Sequence, residues 1–100
     1  MKKIPNIHPG EILEEELLLP LKITAYRLAK ETGIPQTRIS QIIKGNRSIT
    51  ADTAIRFSKF FGTTPQFWLG LQNDFDLEEE LNKKVKEFNS ILNFKEALAV

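Results

Sequence analysis

The sequence predicts an all-α fold, and three observations predict it. No stretch alternates apolar and polar side chains for long enough to make a half-buried strand. Helix openings and closings recur at short intervals: Thr24, Thr50 and Thr64-Pro65 open, and Gly33, Gly45 and Gly62 close. Between these signals, apolar residues return at the three- and four-residue spacing of a helix face.

The first helix is expected to begin near Pro9, whose fixed φ suits the first helical position, and to run through Ile12, Leu13 and Leu17. Glu14, Glu15 and Glu16 read as its solvated face, and Pro20 ends or kinks it. The second opens with Thr24 as N-cap, sets Ala25, Leu28 and Ala29 on one face, and closes at Gly33. The third takes Pro35 into its first turn and buries Ile39, Ile42 and Ile43. It ends at Gly45, before the polar loop Asn46-Arg47-Ser48. The fourth opens at Thr50, with Asp52 at the positive end of the helix dipole. It buries Ala54, Phe61 and either Phe57 or Ile55, and stops at Gly62. The fifth starts at Thr64-Pro65 and carries the stripe Phe67, Trp68, Leu71 and Phe75. Leu77, Leu81, Val85 and Phe88 then continue that helix or form a separate one capped by Asp76 and Glu79. Residues 1–81 are expected to form one domain, with 82–100 a C-terminal extension, helical or partly disordered.

Composition narrows the function classes. The chain has 100 residues, 41% hydrophobic, enough for one small core. The 27% of charged residues in that setting argues against wholesale disorder. Cysteine is absent, which excludes disulfides and thiolate metal sites. No run approaches the roughly 18–20 apolar residues of a membrane span. Met1 to Asn6 is basic but lacks the apolar core of a signal peptide, so a cytoplasmic location is expected. His8 is the one histidine. Its H-x-x-E spacing with Glu11 offers two ligands, too few for a metal site, and a capping or packing role is expected instead. Ser40, Ser48, Ser58 and Ser90 stand in no nucleophile motif. No enzyme activity, metal or cofactor is expected.

The formal net charge of +1 hides an asymmetry. From Lys22 to Lys59 eight basic residues face only two acidic ones, Glu31 and Asp52, a net of +6. A basic middle between acidic flanks suits a polyanion partner.

Residues 25–44, AYRLAKETGIPQTRISQIIK, make the sharpest pattern. Two short helices joined by a tight turn need a small residue at their crossing, which Ala29 supplies. They also need a residue tolerant of positive φ in the turn, which Gly33 supplies. Leu28, Ile34, Ile39 and Ile42 seal the pair. The combination predicts a helix-turn-helix, the alternative being an ordinary helical hairpin, and the second helix of such a motif is expected to enter the DNA major groove. With its isoleucines buried, that helix presents Gln36, Thr37, Arg38, Ser40, Gln41 and Lys44. Gln36 and Gln41 can pair with adenine, and Thr37 can touch a thymine methyl. Arg38, Ser40, Lys44, Asn46 and Arg47 suit the backbone or bases, the cations mainly phosphates, although arginine also reads guanine.

This helix-turn-helix resembles the lambda-repressor-like (Xre-type) domains. Three further stretches resemble HigA/VapI-type antitoxins: His8-Pro9-Gly10-Glu11-Ile12-Leu13, Gly45 to Ala54, and Phe61 to Leu69. The similarity covers roughly Ile7 to Leu77. It implies a five-helix, dimeric DNA-binding antitoxin that neutralises a HigB-type messenger-RNA endonuclease and represses their shared operon. The alternatives are a solitary transcription regulator and a toxin-neutralising protein with a vestigial DNA face. The sequence departs from the family in three places. Ala25 stands where many such domains have a phosphate-binding glutamine, Phe75 stands where tyrosine is usual, and the chain after Leu81 has no matching pattern.

A single helix-turn-helix reads few base pairs, so a homodimer bound to operator DNA is expected. Its interface is expected at Phe67, Trp68, Leu71, Phe75, Leu77 and Leu81, which exceed what four short helices can bury. Trp68 also fits a core position, with its neighbour Phe67 about 100° away around the helix.

Overall fold

A computed structural model of the chain describes residues 5–99. The start of the basic N-terminal stretch, Met1 to Ile4, lies outside the described residues, as does Val100. Among those described there is no strand: the fold is all-α.

The first helix, α1, spans residues 9–21 in three unlike turns. Pro9–Ile12 is α-helical, Leu13–Leu18 is a wide π-helical turn, and Leu19–Leu21 closes as α-helix. The sequence foresaw a stop or kink at Pro20. The helix does close one residue beyond Pro20, at Leu21, and it is distorted just before the proline, in the widened turn. A proline ring collides with the carbonyl four residues back, and a turn that bonds i to i+5 moves that carbonyl aside. Lys22 then ends α1 in the left-handed region at φ 57°, where the sequence offers no glycine signal.

The next helices keep close to their signals. Helix α2 is Ala25–Thr32, with the Thr24 hydroxyl accepting from the Arg27 N–H at 3.1 Å. Helix α3 is Gln36–Ile43, with Pro35 just outside it as the flanking residue. Helix α4 is Ala51–Phe61, capped by Thr50. Its buried face carries Thr53, Ala54, Phe57 and Ser58, which decides between Phe57 and Ile55: Ile55 faces solvent.

Helix α5 is Pro65–Lys83, one uninterrupted helix capped by Thr64. It runs across the expected domain boundary at 81, and the alternative of a fresh helix at Asp76 is not what forms. Asp76 is occupied otherwise, accepting from Gln72 Nε2 at 2.9 Å. Beyond α5, short helices α6 (Val85–Asn89) and α7 (Phe94–Leu98) bury nothing, and every residue from Leu81 to Ala99 is exposed.

One core ties α1 to α5 together: Leu13, Leu18, Leu28, Ile34, Ile39, Ile42, Ile49, Ala54, Phe57 and Trp68. Trp68 is its largest member, fully buried, edge-on to Phe57 at 5.1 Å, with its indole N–H donating to Thr63 Oγ1 at 2.8 Å. That corrects the expectation placing Trp68 at a dimer interface. The ring is consumed inside the protomer, and Phe67, 43% exposed, is the aromatic that faces out.

Candidate nucleic-acid interface

The turn between α2 and α3 is built from three devices. Gly33 adopts φ 74°, a left-handed conformation that a side chain would strain. The Thr32 hydroxyl donates to the Leu28 carbonyl at 2.6 Å and accepts from the Ile34 N–H at 3.4 Å. Arg56 of α4 donates Nη1–H to the Thr32 carbonyl at 2.9 Å, satisfying a carbonyl the helix end leaves open. Arg56 also donates Nε–H to both Asp52 oxygens, at 3.2 and 3.0 Å. The turn is thus anchored to α4, a role that the sequence pattern of residues 25–44 did not reveal.

Helix α3 has two faces. Ile39 and Ile42 are fully buried and Ile43 half-buried. Gln36, Thr37, Ser40, Gln41 and Lys44 run along the opposite side and line one open groove. The structure therefore brings together five of the eight residues expected to touch DNA. Asn46 and Arg47 are exposed on the loop just beyond, which Gly45 begins at φ 79°. Arg38 departs from the row: its Nη1 lies 3.5 Å from Asp52 Oδ2, on the side of α3 that faces α4.

The far end of α3 is held by Gly10, His8 and Gln72, of which only His8 carries a role read from the sequence. Gly10, in the first turn of α1, lies so close to α3 that a Cβ there would stand 1.8 Å from the Ile42 carbonyl oxygen. The sequence pattern places the close approach at Ala29, which is half-buried at the α2–α3 crossing. The tighter crossing is at Gly10. Its signal was available as a glycine inside a helix start, where alanine would be the better helix former.

His8 caps α1, accepting the Gly10 N–H on Nδ1 at 2.9 Å. Its ring stands edge-on to Phe75 at 4.9 Å and within 3.7 Å of where a Cβ on Gly45 would lie. Burial pushes the imidazole pKa below its usual value. Asp76, Glu11 and the Arg47 backbone carbonyl pull partly the other way. His8 thus has the capping and packing roles expected of it. Gln72, buried on α5, accepts the Ile49 N–H on Oε1 at 2.7 Å and so fixes the strand-like link between the loop and α4. No spacing rule marked Gln72.

The interface is electrostatically one-sided. Lys44 and Arg47 stand at its C-terminal end, and Asp52 is engaged by Arg38 and Arg56. An exposed polar helix face with amides at both ends and cations beyond suits base edges flanked by phosphates.

A model of the helix-turn-helix family matches residues 15–68, from within α1 into α5. The chain belongs to the Xre-type helix-turn-helix family. Among its relatives is virulence-associated protein I of Dichelobacter nodosus. The two are 46% identical over 76 residues, 76% of this chain and 70% of that protein. An addiction-module antidote protein of the HigA family from Coxiella burnetii superposes with a TM-score of 0.85 at 49% identity, covering 91% of this chain and all of that one. The Pseudomonas aeruginosa antitoxin HigA, solved with the higBA promoter, superposes with a TM-score of 0.86 at 33% identity, over 90% of this chain and 99% of that one. The matched span of this helix-turn-helix protein includes α2, α3 and the whole groove. Among its described residues no cluster could hold a metal ion, and no helix is long and apolar enough to cross a membrane.

Proposed function

We propose that this protein is a sequence-specific DNA-binding antitoxin that represses its own operon as a homodimer and neutralises a HigB-type toxin. The observation that carries the DNA half is the unobstructed row Gln36, Thr37, Ser40, Gln41 and Lys44 on a helix whose opposite face is locked into the core. The antitoxin half rests on the likeness, over nine-tenths of the chain, to solved HigA-family antitoxins. The reading assigns the chain no catalytic step.

In this reading Gln36, Thr37 and Gln41 contact bases, while Ser40, Lys44, Asn46 and Arg47 contact the backbone or bases. Arg38 serves mainly to join α3 to Asp52. Two copies related by a two-fold axis would read half-sites about 34 Å apart, or a multiple of that spacing. The joint uses Phe67, Leu71, Phe75, Leu77 and Leu81 of α5. Leu77 and Leu81 are exposed, while Phe75 already shares its ring with His8.

The test is binding to the chain's own upstream DNA. Gln36→Ala and Gln41→Ala should each cost about 1–3 kcal/mol and relax preference at particular base pairs. Lys44→Ala should weaken every sequence alike. Unchanged selectivity in both glutamine variants would overturn the groove assignment. Co-purification with the product of an adjacent small ribonuclease-like gene tests the toxin half, and the lack of any such complex would leave a solitary regulator.

A further inference from the structure

We propose that His8 makes DNA binding acid-sensitive: a proton on its imidazole uncouples the loop that carries Asn46 and Arg47 from the start of α1. The inference rests on the DNA-binding reading above and adds a regulatory device to it. His8 is 7% exposed and touches three elements at once. On α1 its Nδ1 accepts the Gly10 N–H at 2.9 Å. On α5 its ring stands edge-on to Phe75 at 4.9 Å. On the loop it lies 3.7 Å from where a Gly45 Cβ would be, with the Arg47 backbone carbonyl as a hydrogen-bond partner.

The Gly10 bond fixes the neutral tautomer, because an accepting Nδ1 leaves the ring proton on Nε2. A second proton goes to Nδ1 and sets two donors face to face. Gly10 has little room to give. Its backbone is seated against α3, where a Cβ would stand 1.8 Å from the Ile42 carbonyl oxygen. The ring is the part that moves, and a charged ring gains by moving toward water. The loop then loses the surface on which Gly45 rests. Ile49 stays pinned by Gln72 at 2.7 Å, so the slack falls on Gly45 to Ser48. That span holds Asn46 and Arg47 and adjoins Lys44, three of the DNA contacts in the reading above. Burial opposes the charged ring and outweighs Asp76 of α5, Glu11 of α1 and the Arg47 carbonyl, which favour it. The switch therefore lies below the usual histidine value. The Lys44 and Arg47 side chains on the loop side are exposed.

The experiment measures binding of the full chain to its own upstream DNA and to random duplex, at fixed salt, from about pH 7.5 to about pH 5, for wild type and His8→Asn. Asparagine keeps an acceptor for the Gly10 N–H and takes up no proton. Each pH unit below the free-protein midpoint should cost the wild type up to about tenfold in affinity per half-site. A polyanion by itself favours added protons, so the general trend has the opposite sign, and His8→Asn should hold or gain affinity on acidification. Amide NMR of the DNA-free protein reads the structural step. The Gly10, Gly45, Asn46 and Arg47 signals should shift together with the His8 ring, while those of α2 stay in place. Circular dichroism at each pH confines the comparison to folded protein. Equal pH dependence in the two proteins overturns the switch and leaves the DNA reading standing. A Gly10 shift that leaves Gly45, Asn46 and Arg47 unmoved overturns it too. A wild type that never exceeds its affinity for random DNA overturns the DNA reading, and the switch with it.

Discussion

Gly10→Ala is the most discriminating single substitution in this fold, because local and tertiary physics give it opposite signs. Gly10 occupies the second position of α1, and its N–H is held by His8. On helix propensity alone, alanine would be favoured by up to about 1 kcal/mol. The tertiary geometry forbids it. The new methyl would stand 1.8 Å from the Ile42 carbonyl oxygen, 2.7 Å from its carbonyl carbon and 3.0 Å from the Ile43 Cα. All three are backbone atoms of α3, so no rotamer change relieves them. The start of α1 must withdraw by more than an ångström, which opens the contact of α1 with α3 and disturbs the His8 cap. Overpacking of this kind costs about 1–3 kcal/mol or more. With three backbone contacts at 3.0 Å or less the cost lies at the upper end of that range, so about 2 kcal/mol of destabilisation remains net of the propensity gain, a fall in Tm on the order of 10 °C for a domain of this size.

Gly70→Ala is the matched control. Gly70 lies inside α5 with nothing within 4 Å of where its Cβ would be. Alanine there should stabilise the protein by about 0.5–1 kcal/mol. Thermal melts followed by circular dichroism compare the pair directly. A Gly10→Ala protein that melts at or above the wild-type temperature, as Gly70→Ala is expected to, would refute the close approach of α1 to α3.

Three other outcomes are expected. Because burial lowers the folded-state pKa of His8, the unfolded chain binds the extra proton first as pH falls below about 6.5. Stability from this group is therefore complete above that pH and declines below it, and urea midpoints at pH 7 and 5 should show a decline that His8→Asn, an uncharged cap, lacks. Gln72→Leu leaves the Ile49 N–H without its partner in a buried position, which should cost about 1–3 kcal/mol in the same denaturation assay. Leu77→Ser with Leu81→Ser, both exposed in the protomer, should leave the melting of the fold intact while light scattering falls from a dimer toward 11.5 kDa; an intact dimer would place the joint elsewhere.

Much of the fold was legible in the sequence because its helices are bounded by strong local signals. Thr24, Thr50 and Thr64 cap the helices they were expected to cap, and Gly33 and Gly62 take the left-handed conformations that end them. What stayed hidden is set by contacts between distant segments. The π-helical turn depends on how α1 accommodates Pro20 while still burying Leu13 and Leu18. Trp68 and Phe67 are adjacent, and only the packing of α5 on α4 decides which of them is buried. The anchoring by Arg56, Gln72 and Gly10 joins residues 24, 23 and 32 positions from their partners, beyond the reach of any local period.

Those same anchors explain why the outward row of α3 can be polar throughout. The N-terminal end of α3 is fixed by the Gly33 turn and by Arg56 on the Thr32 carbonyl. Its C-terminal end is fixed by Gly10 against Ile42, by His8 beside Gly45, and by Gln72 on Ile49. The buried isoleucines hold the middle. None of these contacts uses the side chain of Gln36, Thr37, Gln41 or Lys44, so the groove-facing residues carry no part of the fold. Side chains there can change with little loss of stability, and a single scaffold can present different rows to different operators. The opposite holds at Gly10 and Gln72, which touch no base in this reading. Substitution there should weaken all operators together, because it shifts the helix that carries the row.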